Sequence, residues 1–369
     1  LSPTVARQIE DQYDVILGDP GLSEVYLDEY LLPPYAGDII KNPDYAKSLR
    51  MIAEGGPDVF YKGELADAIV EAAQAGGGFL TKEDLASYKP TVGWPARGSY
   101  RGYDIIAGGP PVAGATVVQS LQILENFDVA SYPFLSAEST HLIAESTRLA
   151  YIDQRWLLGD PNHVNVPLQE MLSKEYAKER ASEIDLNRMI PYRNLQPGDF
   201  TQQLMPTGTE GESYESPSTT HISVIDKDRN MVSITQTISS FWGCRCTVPG
   251  TGIIMNNQIS NFSTNPERPS YMTPGKHVGG TVAPTLVLRE GKPFLSIGSP
   301  GAGRIVPTLV QIISHIIDRG MPLQDAIDAP RFYVRDNMNR FECESRFEPD
   351  VLTELERRGW QFRDDGIKK

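Results

Sequence analysis

The first ninety residues place apolar and polar positions at a helical period. Residues 64–75 form an alanine-rich amphipathic run that Gly76-Gly77-Gly78 brings to an end. Thr81 followed by Asp84 has the spacing of a capping box and opens a further helix. A strand is expected over residues 99–107, running into Gly108-Gly109-Pro110-Pro111. Helices follow over residues 115–126 and 137–156, the second halted by Leu158-Gly159-Asp160-Pro161.

Residues 196–218 break this pattern. They are polar, rich in Gly, Pro, Ser and Glu, and without period, as in an exposed linker. At Thr219 the period switches to two. Residues 219–225 alternate, 226–230 (Asp-Lys-Asp-Arg-Asn) turn, and 231–239 alternate again, which predicts a hairpin. With those five residues as the loop, Ile225 faces Met231 and Thr219 faces Thr237. Thr219, His221, Ser223, Ser233, Thr235 and Thr237 then share a polar face, and Ile222, Val224, Val232 and Ile234 an apolar one. The polar face is either the lining of a site or a solvent-facing surface. Further on, residues 293–297 read as a strand, Gly298-Ser299-Pro300-Gly301-Ala302-Gly303 as a glycine-rich turn, and 304–318 as a helix.

Composition changes this picture only by exclusion. A chain of 369 residues with 40% hydrophobic and 22% charged positions can build one large layered unit. Its net charge of −14 repels phosphate backbones, so nucleic acid is not an expected partner. The most apolar stretch, 305–317, is interrupted by Pro307, Gln311, Ser314 and His315, and reads as a buried helix rather than a membrane span. His315 is expected there as a hydrogen-bonded core residue. Residue 1 is Leu, no leader pattern is legible, and the compartment is not indicated. Cys244, Cys246 and Cys343 are too few for a disulfide framework. Cys244 and Cys246 lack a second Cys or His pair, and no two of the five histidines stand three or four apart, so neither metal nor cofactor is expected.

Three chemistries compete for the glycine turn and the polar hairpin. A phosphate loop would need Lys and Ser/Thr where Arg304 and Ile305 stand. The G-x-S-x-G elbow of serine hydrolases is not present around the turn. Strand, glycine turn and helix do aim free backbone N–H groups at one point, which suits an oxyanion. A nucleophile that needs no histidine is an N-terminal threonine. Its own α-amine, with a pKa of about 7.7–8.0, can take the hydroxyl proton. Thr219 meets that description only if the Ser218–Thr219 bond is cut, and a loose linker running into a rigid strand suits such a cut.

At this point the chain resembles the γ-glutamyltranspeptidase family. The resemblance is carried before the linker by Gly56-Pro57-Asp58-Val59-Phe60-Tyr61-Lys62-Gly63, Thr81-Lys82-Glu83-Asp84-Leu85, Tyr100-Arg101-Gly102-Tyr103 and Leu158-Gly159-Asp160-Pro161. After the linker it is carried by Thr219-Thr220-His221-Ile222-Ser223-Val224, Met255-Asn256-Asn257-Gln258, Ala283-Pro284-Thr285 and Gly298-Ser299-Pro300-Gly301. It implies an α+β fold, the four-layer αββα sandwich of N-terminal-nucleophile hydrolases. Residues 1–218 would be a large-subunit portion lacking its N-terminal part, and 219–369 the small subunit, intertwined as one domain. It implies self-cleavage between Ser218 and Thr219, Thr219 as nucleophile, Thr237 as its supporting hydroxyl, and the backbone N–H groups of Gly301 and Ala302 as oxyanion donors.

The resemblance also marks departures. Ser239 stands where the family has Asn, Asn261 where an Asp pairs with the substrate α-amine, and Gly280 and Thr281 where it has paired serines; Gln258 matches. Exchanging Asp for Asn removes an anionic partner for an ammonium, and charge-assisted hydrogen bonds are roughly twice as strong as neutral ones. The implied substrate is a small amide carrying a γ-glutamyl group, with a glutaryl group as in the cephalosporin-acylase-like branch as the alternative. An idle homologue that binds a small acidic or amide ligand is the alternative of another class.

Overall fold

The computed structural model describes residues 1–200, 218–334 and 339–362. Of the expected linker, residues 201–217 lie outside the described residues. Contacts divide the chain into two units: Leu1–Val92 with Ile238–Asn257, and Gly93–Thr237 with Gln258–Lys369.

The first unit is helical, as its period predicts. The helix Glu64–Ala75 buries Leu65, Ala66, Ile69, Val70 and Ala72, the spacing of one amphipathic face. The capping box forms: Asp84 N–H donates to Thr81 Oγ1 at 3.2 Å, and Thr81 N–H donates to the Asp84 carboxylate at 2.9 Å. The 238–257 segment is tied to these helices. Ser48 Oγ donates to the Thr251 carbonyl at 2.8 Å, and Thr247 N–H donates to Asp19 Oδ2 at 3.1 Å. Trp242 completes a small core with Ile9, Ile16, Leu22 and Leu27.

The second unit mixes helix and sheet. Its strands relevant to the site are β1 (Ala96–Tyr100), β2 (Tyr103–Ala107), β3 (Thr220–Ile225), β4 (Met231–Gln236), β5 (Thr285–Arg289) and β6 (Lys292–Ile297). Four of them form an antiparallel sheet in the order β1-β2-β5-β6. The single strand expected over residues 99–107 is instead the hairpin β1–β2. Arg101 and Gly102, with φ of 52° and 82°, make its two-residue turn, where two successive left-handed residues match the twist of the strands. Arg101 is held in that strained region by Glu125 Oε1, which accepts from its N–H at 2.6 Å, and by Asp318 Oδ1, 3.0 Å from its Nε.

The helix Gly114–Leu124 is buried at every residue. An element with no wet face must be apolar or internally satisfied, and Thr116 Oγ1 donates to Gln154 Oε1 at 2.7 Å while Gln122 Nε2 donates to the Leu172 carbonyl at 3.0 Å. Val117, Leu121, Leu149, Val287 and Ile305 lie in one continuous core. The helix Ile305–Arg319 ends at Gly320, whose left-handed φ of 64° closes it. His315 is in the core as expected but is not hydrogen-bonded as expected: among the described residues its two ring nitrogens have no partner. The ring packs edge-on against Phe134, with 5.0 Å between centroids, and the Arg319 guanidinium lies 5.6 Å from the centre of that same Phe134 ring. Burial pushes its pKa down to about 4.

The hairpin β3–β4 has the expected register, from Ile225 opposite Met231 to Thr220 opposite Gln236. Its polar face is turned inward. Ser223 Oγ donates to the Ser296 carbonyl at 3.0 Å, Ser233 Oγ to the Ile297 carbonyl at 3.2 Å, and Ser296 Oγ to the Val232 carbonyl at 3.1 Å. Ile222, Val224, Val232 and Ile234 stay 44–49% exposed on the other side. Hydroxyl-to-backbone bonds, not apolar burial, therefore seat this hairpin on β6.

Candidate active site

Ser218 and Thr219 are half-buried immediately before β3, and Thr237 is half-buried immediately after β4. Carrying the register one step beyond Thr220–Gln236 sets Thr219 opposite Thr237. Two residues along the same face is His221. Its Nε2 is 2.9 Å from Ser223 Oγ and its Nδ1 is 2.9 Å from Thr235 Oγ1. Ser223 has one hydroxyl proton and donates it to the Ser296 carbonyl. It must therefore accept from His221, which puts the imidazole proton on Nε2 and leaves Nδ1 to accept from Thr235. Desolvation lowers the pKa of this histidine, which favours the neutral form that the pattern needs.

The imidazole also touches the glycine turn. A Cβ on Gly298 would sit 2.1 Å from His221 Nδ1 and 2.3 Å from Cε1, so only glycine lets the chain leave β6 at this point. Beyond it, Gly301 has φ 129° and Ala302 φ 51°. Among the described residues neither amide donates to a backbone carbonyl, and the helix Ile305–Arg319 begins three residues later. Such a pair of unspent N–H groups at a helix start can receive a developing negative charge. The turn is braced from behind. Tyr151 Oη donates to the Gly303 carbonyl at 2.6 Å, and Arg304 pairs with Glu342 at 2.8 Å.

The residues expected to line the acyl pocket fall in several places. Gln258 and Asn261 share one short 3-10 turn, where Asn261 Nδ2 donates to Gln258 Oε1 at 2.8 Å and Asn261 is exposed. Gly280 pairs with Val112 in an isolated bridge, and a Cβ placed on it would meet nothing within 4 Å. Thr281 follows it, half-buried. Ser239 belongs to the other unit and has a left-handed φ of 73°. The second unit thus carries Thr219, Thr237, Gln258, Asn261, Gly280, Thr281, Gly301 and Ala302 together. Two contributors were not singled out from sequence. His221 was legible as a member of the polar face, but not as the residue under Gly298. Tyr151 gave no signal, because only packing brings the 137–157 helix behind the turn.

The family model described as Gamma-glutamyltranspeptidase matches residues 1–368. The chain belongs to this family. It is 40% identical over 338 residues to the glutathione hydrolase proenzyme of Escherichia coli (strain K12), covering 89% of this chain and 56% of that relative. It is 37% identical over 343 residues to the acylase ACY 1 proenzyme of Pseudomonas sp. (strain SE83), covering 93% of this chain and 59% of that relative. The chain thus spans little more than half the length of these relatives. Among solved structures, cephalosporin acylase from Bacillus halodurans superposes with a TM-score of 0.86 at 29% identity, covering 100% of this chain and 65% of that one. The γ-glutamyltranspeptidase of Helicobacter pylori superposes with a TM-score of 0.52 at 31% identity over 55% of this chain and 58% of that one. Relatives of this γ-glutamyltranspeptidase-family chain are therefore named as hydrolases of two kinds, and as proenzymes. Among the described residues no group of three or more His, Cys, Asp or Glu side chains is placed to hold a metal, and no helix is long and apolar enough to cross a membrane.

Proposed function

We propose that the chain is part of a self-processing amidohydrolase of the N-terminal-nucleophile type, acting through Thr219. The observation that carries this reading is the register of β3–β4, which sets Thr219 opposite Thr237 on the face that touches the glycine turn. In the first stage Thr219 Oγ attacks the Ser218 carbonyl, and the resulting ester is hydrolysed to free the Thr219 amine. In the second stage Thr219 Oγ attacks a substrate amide while the amine takes its proton and passes it to the leaving nitrogen. The N–H groups of Gly301 and Ala302 hold the oxyanion; loss of one such donor typically costs about 10²–10³ in rate. Water or an acceptor amine then releases the acyl group.

The fold that goes with this reading is the four-layer αββα sandwich. It is supported by the helix layer on the β1-β2-β5-β6 sheet, the hairpin seated on that sheet, and the outward aliphatic face of the hairpin, which is the kind of surface a further layer covers. For the acyl group, γ-glutamyl amides of the glutathione kind are the first reading. A glutaryl-type acyl group is the second, favoured by one observation: the neutral, exposed Asn261 bound to Gln258 offers an ammonium no carboxylate.

The test is a denaturing gel of the purified protein beside Thr219→Ala, with the N-terminus of any new fragment sequenced. Two fragments, the smaller beginning Thr-Thr-His-Ile, with the variant uncut, are expected. A chain that stays single in fresh and aged samples would remove the amine from Thr219 and leave the idle, ligand-binding homologue as the reading.

A further inference from the structure

The turn Leu158-Gly159-Asp160-Pro161 ends the helix Ala137–Leu157, and the function proposed above makes no use of it. It is also the floor on which residues 263–277 rest. Those residues are an excursion between contributors to the proposed acyl pocket, Asn261 before it and Gly280-Thr281 after it. The excursion is closed on itself: Ser263 N–H donates to the Ser270 carbonyl at 2.9 Å, and Lys276 Nζ donates to the Tyr271 carbonyl at 3.0 Å. It is seated on the helix end and on the turn. The Arg268 guanidinium lies 3.5 Å from the centre of the Trp156 ring. A Cβ on Gly159 would sit 2.8 Å from the Pro269 carbonyl oxygen, so the two backbones approach closely. His277 N–H donates to Asp160 Oδ2 at 2.7 Å.

We propose that Asp160 is a positioning residue for acyl recognition: by holding the His277 amide it fixes where Gly280 and Thr281 stand. The inference rests on the reading of Gly280 and Thr281 as acyl-pocket residues given above. Asp160 is 2% exposed, and a buried carboxylate needs donors around it. Asn162 N–H donates to its Oδ1 at 3.0 Å, and His163 Nδ1 lies 3.2 Å from its Oδ2. An ionised carboxylate only accepts, so His163 carries a proton on Nδ1. Burial works against the Asp160 charge, but the N–H groups of His277 and Asn162 and the nearby His277 and His163 outweigh it and hold the carboxyl below its ordinary value. The bonds to Asn162 and His163 are local, whereas the bond to His277 reaches across 117 positions. Only Val278 and Gly279 separate His277 from Gly280, a stretch that spans at most roughly 11 Å. On the far side Gly280 bridges to Val112, and Ala113 N–H donates to the Val282 carbonyl at 3.1 Å. Gly280 and Thr281 are thus held from both ends. Releasing the Asp160 end lets them drift, while β3 and the glycine turn keep their own supports. Acyl contacts made equally in the ground and transition states register in KM rather than in kcat.

The experiment uses the whole chain with γ-glutamyl and glutaryl p-nitroanilides. Asp160→Asn keeps the shape of the side chain and removes its charge. KM for the preferred amide is expected to rise about tenfold, with kcat and the self-cleavage half-time within about twofold of wild type. His277→Pro removes the same hydrogen bond from the donor side and is expected to give the same split, so the test does not hang on one variant. His163→Ala removes the other partner of Oδ2, leaves the His277 bond in place, and is expected to keep KM near wild type. Hydrogen exchange supplies a readout without substrate: the peptide covering residues 276–282 is expected to exchange faster in Asp160→Asn, with the peptide covering β3 unchanged. An unchanged KM in Asp160→Asn, a loss confined to kcat, or an equal rise in His163→Ala would overturn this inference alone, with wild type still turning over. Wild type that turns over neither amide would overturn the acyl reading proposed above, and this inference with it.

Discussion

The backbone of Gly298 rests on the imidazole of His221, so closely that a methyl group at 298 would lie 2.1 Å from Nδ1. This contact joins β3, which begins just after Thr219, to the turn that carries Gly301 and Ala302. Gly298→Ala is expected to lower stability by about 1–3 kcal/mol through overpacking. It is also expected to slow self-cleavage by about 10²-fold, the typical cost of displacing reacting groups by about 1 Å. His221→Ala makes room, so the double variant should cleave faster than Gly298→Ala alone. Thermal melts and cleavage half-times on all three variants read the coupling; strictly additive losses would refute it.

Tyr151→Phe removes the hydroxyl that donates to the Gly303 carbonyl at 2.6 Å. Its hydroxyl is expected to contribute about 0.5–1.5 kcal/mol to stability. If the bond positions the turn, kcat falls severalfold while KM stays near wild type, because the oxyanion exists only in the transition state. A change confined to KM would assign Tyr151 to substrate binding instead.

Asn261→Asp is expected to raise kcat/KM for γ-glutamyl amides relative to glutaryl amides by about tenfold, which corresponds to ~1.4 kcal/mol of added attraction for the α-ammonium. Gln258 must turn its amide so that the NH2 group faces the new carboxylate, since its Oε1 now accepts from Asn261. An unchanged ratio would show that this position does not read the α-amine.

Stability should fall as the solution is acidified from about pH 6.5 to about pH 4. Burial lowers the pKa of both His141 and His315 to about 4, whereas in the unfolded chain they titrate near ~6.5. Between those values the unfolded state binds more protons, so the native state loses ground as pH drops. His315→Leu removes two ring nitrogens that have no partner among the described residues. It should flatten the dependence and leave the protein at least as stable as wild type at pH 5. Melting curves at half-unit steps of pH would show the difference; an unchanged slope would mean His315 does not contribute.

Much of the local structure was legible because it is written in short-range periodicity. The capping box at Thr81, the helices near 64–75 and 137–157, and the facing of Ile225 and Met231 follow from side chains spaced to one face or one turn. The turn at Arg101-Gly102 was missed because the alternation on its two sides is continuous. An arginine can occupy a left-handed position there only with help from Glu125 and Asp318, distant in sequence.

By itself, then, the sequence determined the helices near 64–75 and 137–157, the β3–β4 register and the membership of the polar face, since each depends on residues a few positions apart. The tertiary structure decided which way that face points. An aliphatic face would ordinarily be buried, but four serine-to-carbonyl and histidine contacts across β3, β4 and β6 turn the hydroxyls inward and leave Ile222 and Val232 outside. It also decided that Gly298 meets His221, that Tyr151 reaches Gly303, and that the buried ring nitrogens of His315 have no hydrogen-bond partner among the described residues. Those outcomes rest on contacts between residues scores of positions apart, and no local spacing encodes the direction in which one layer docks on another.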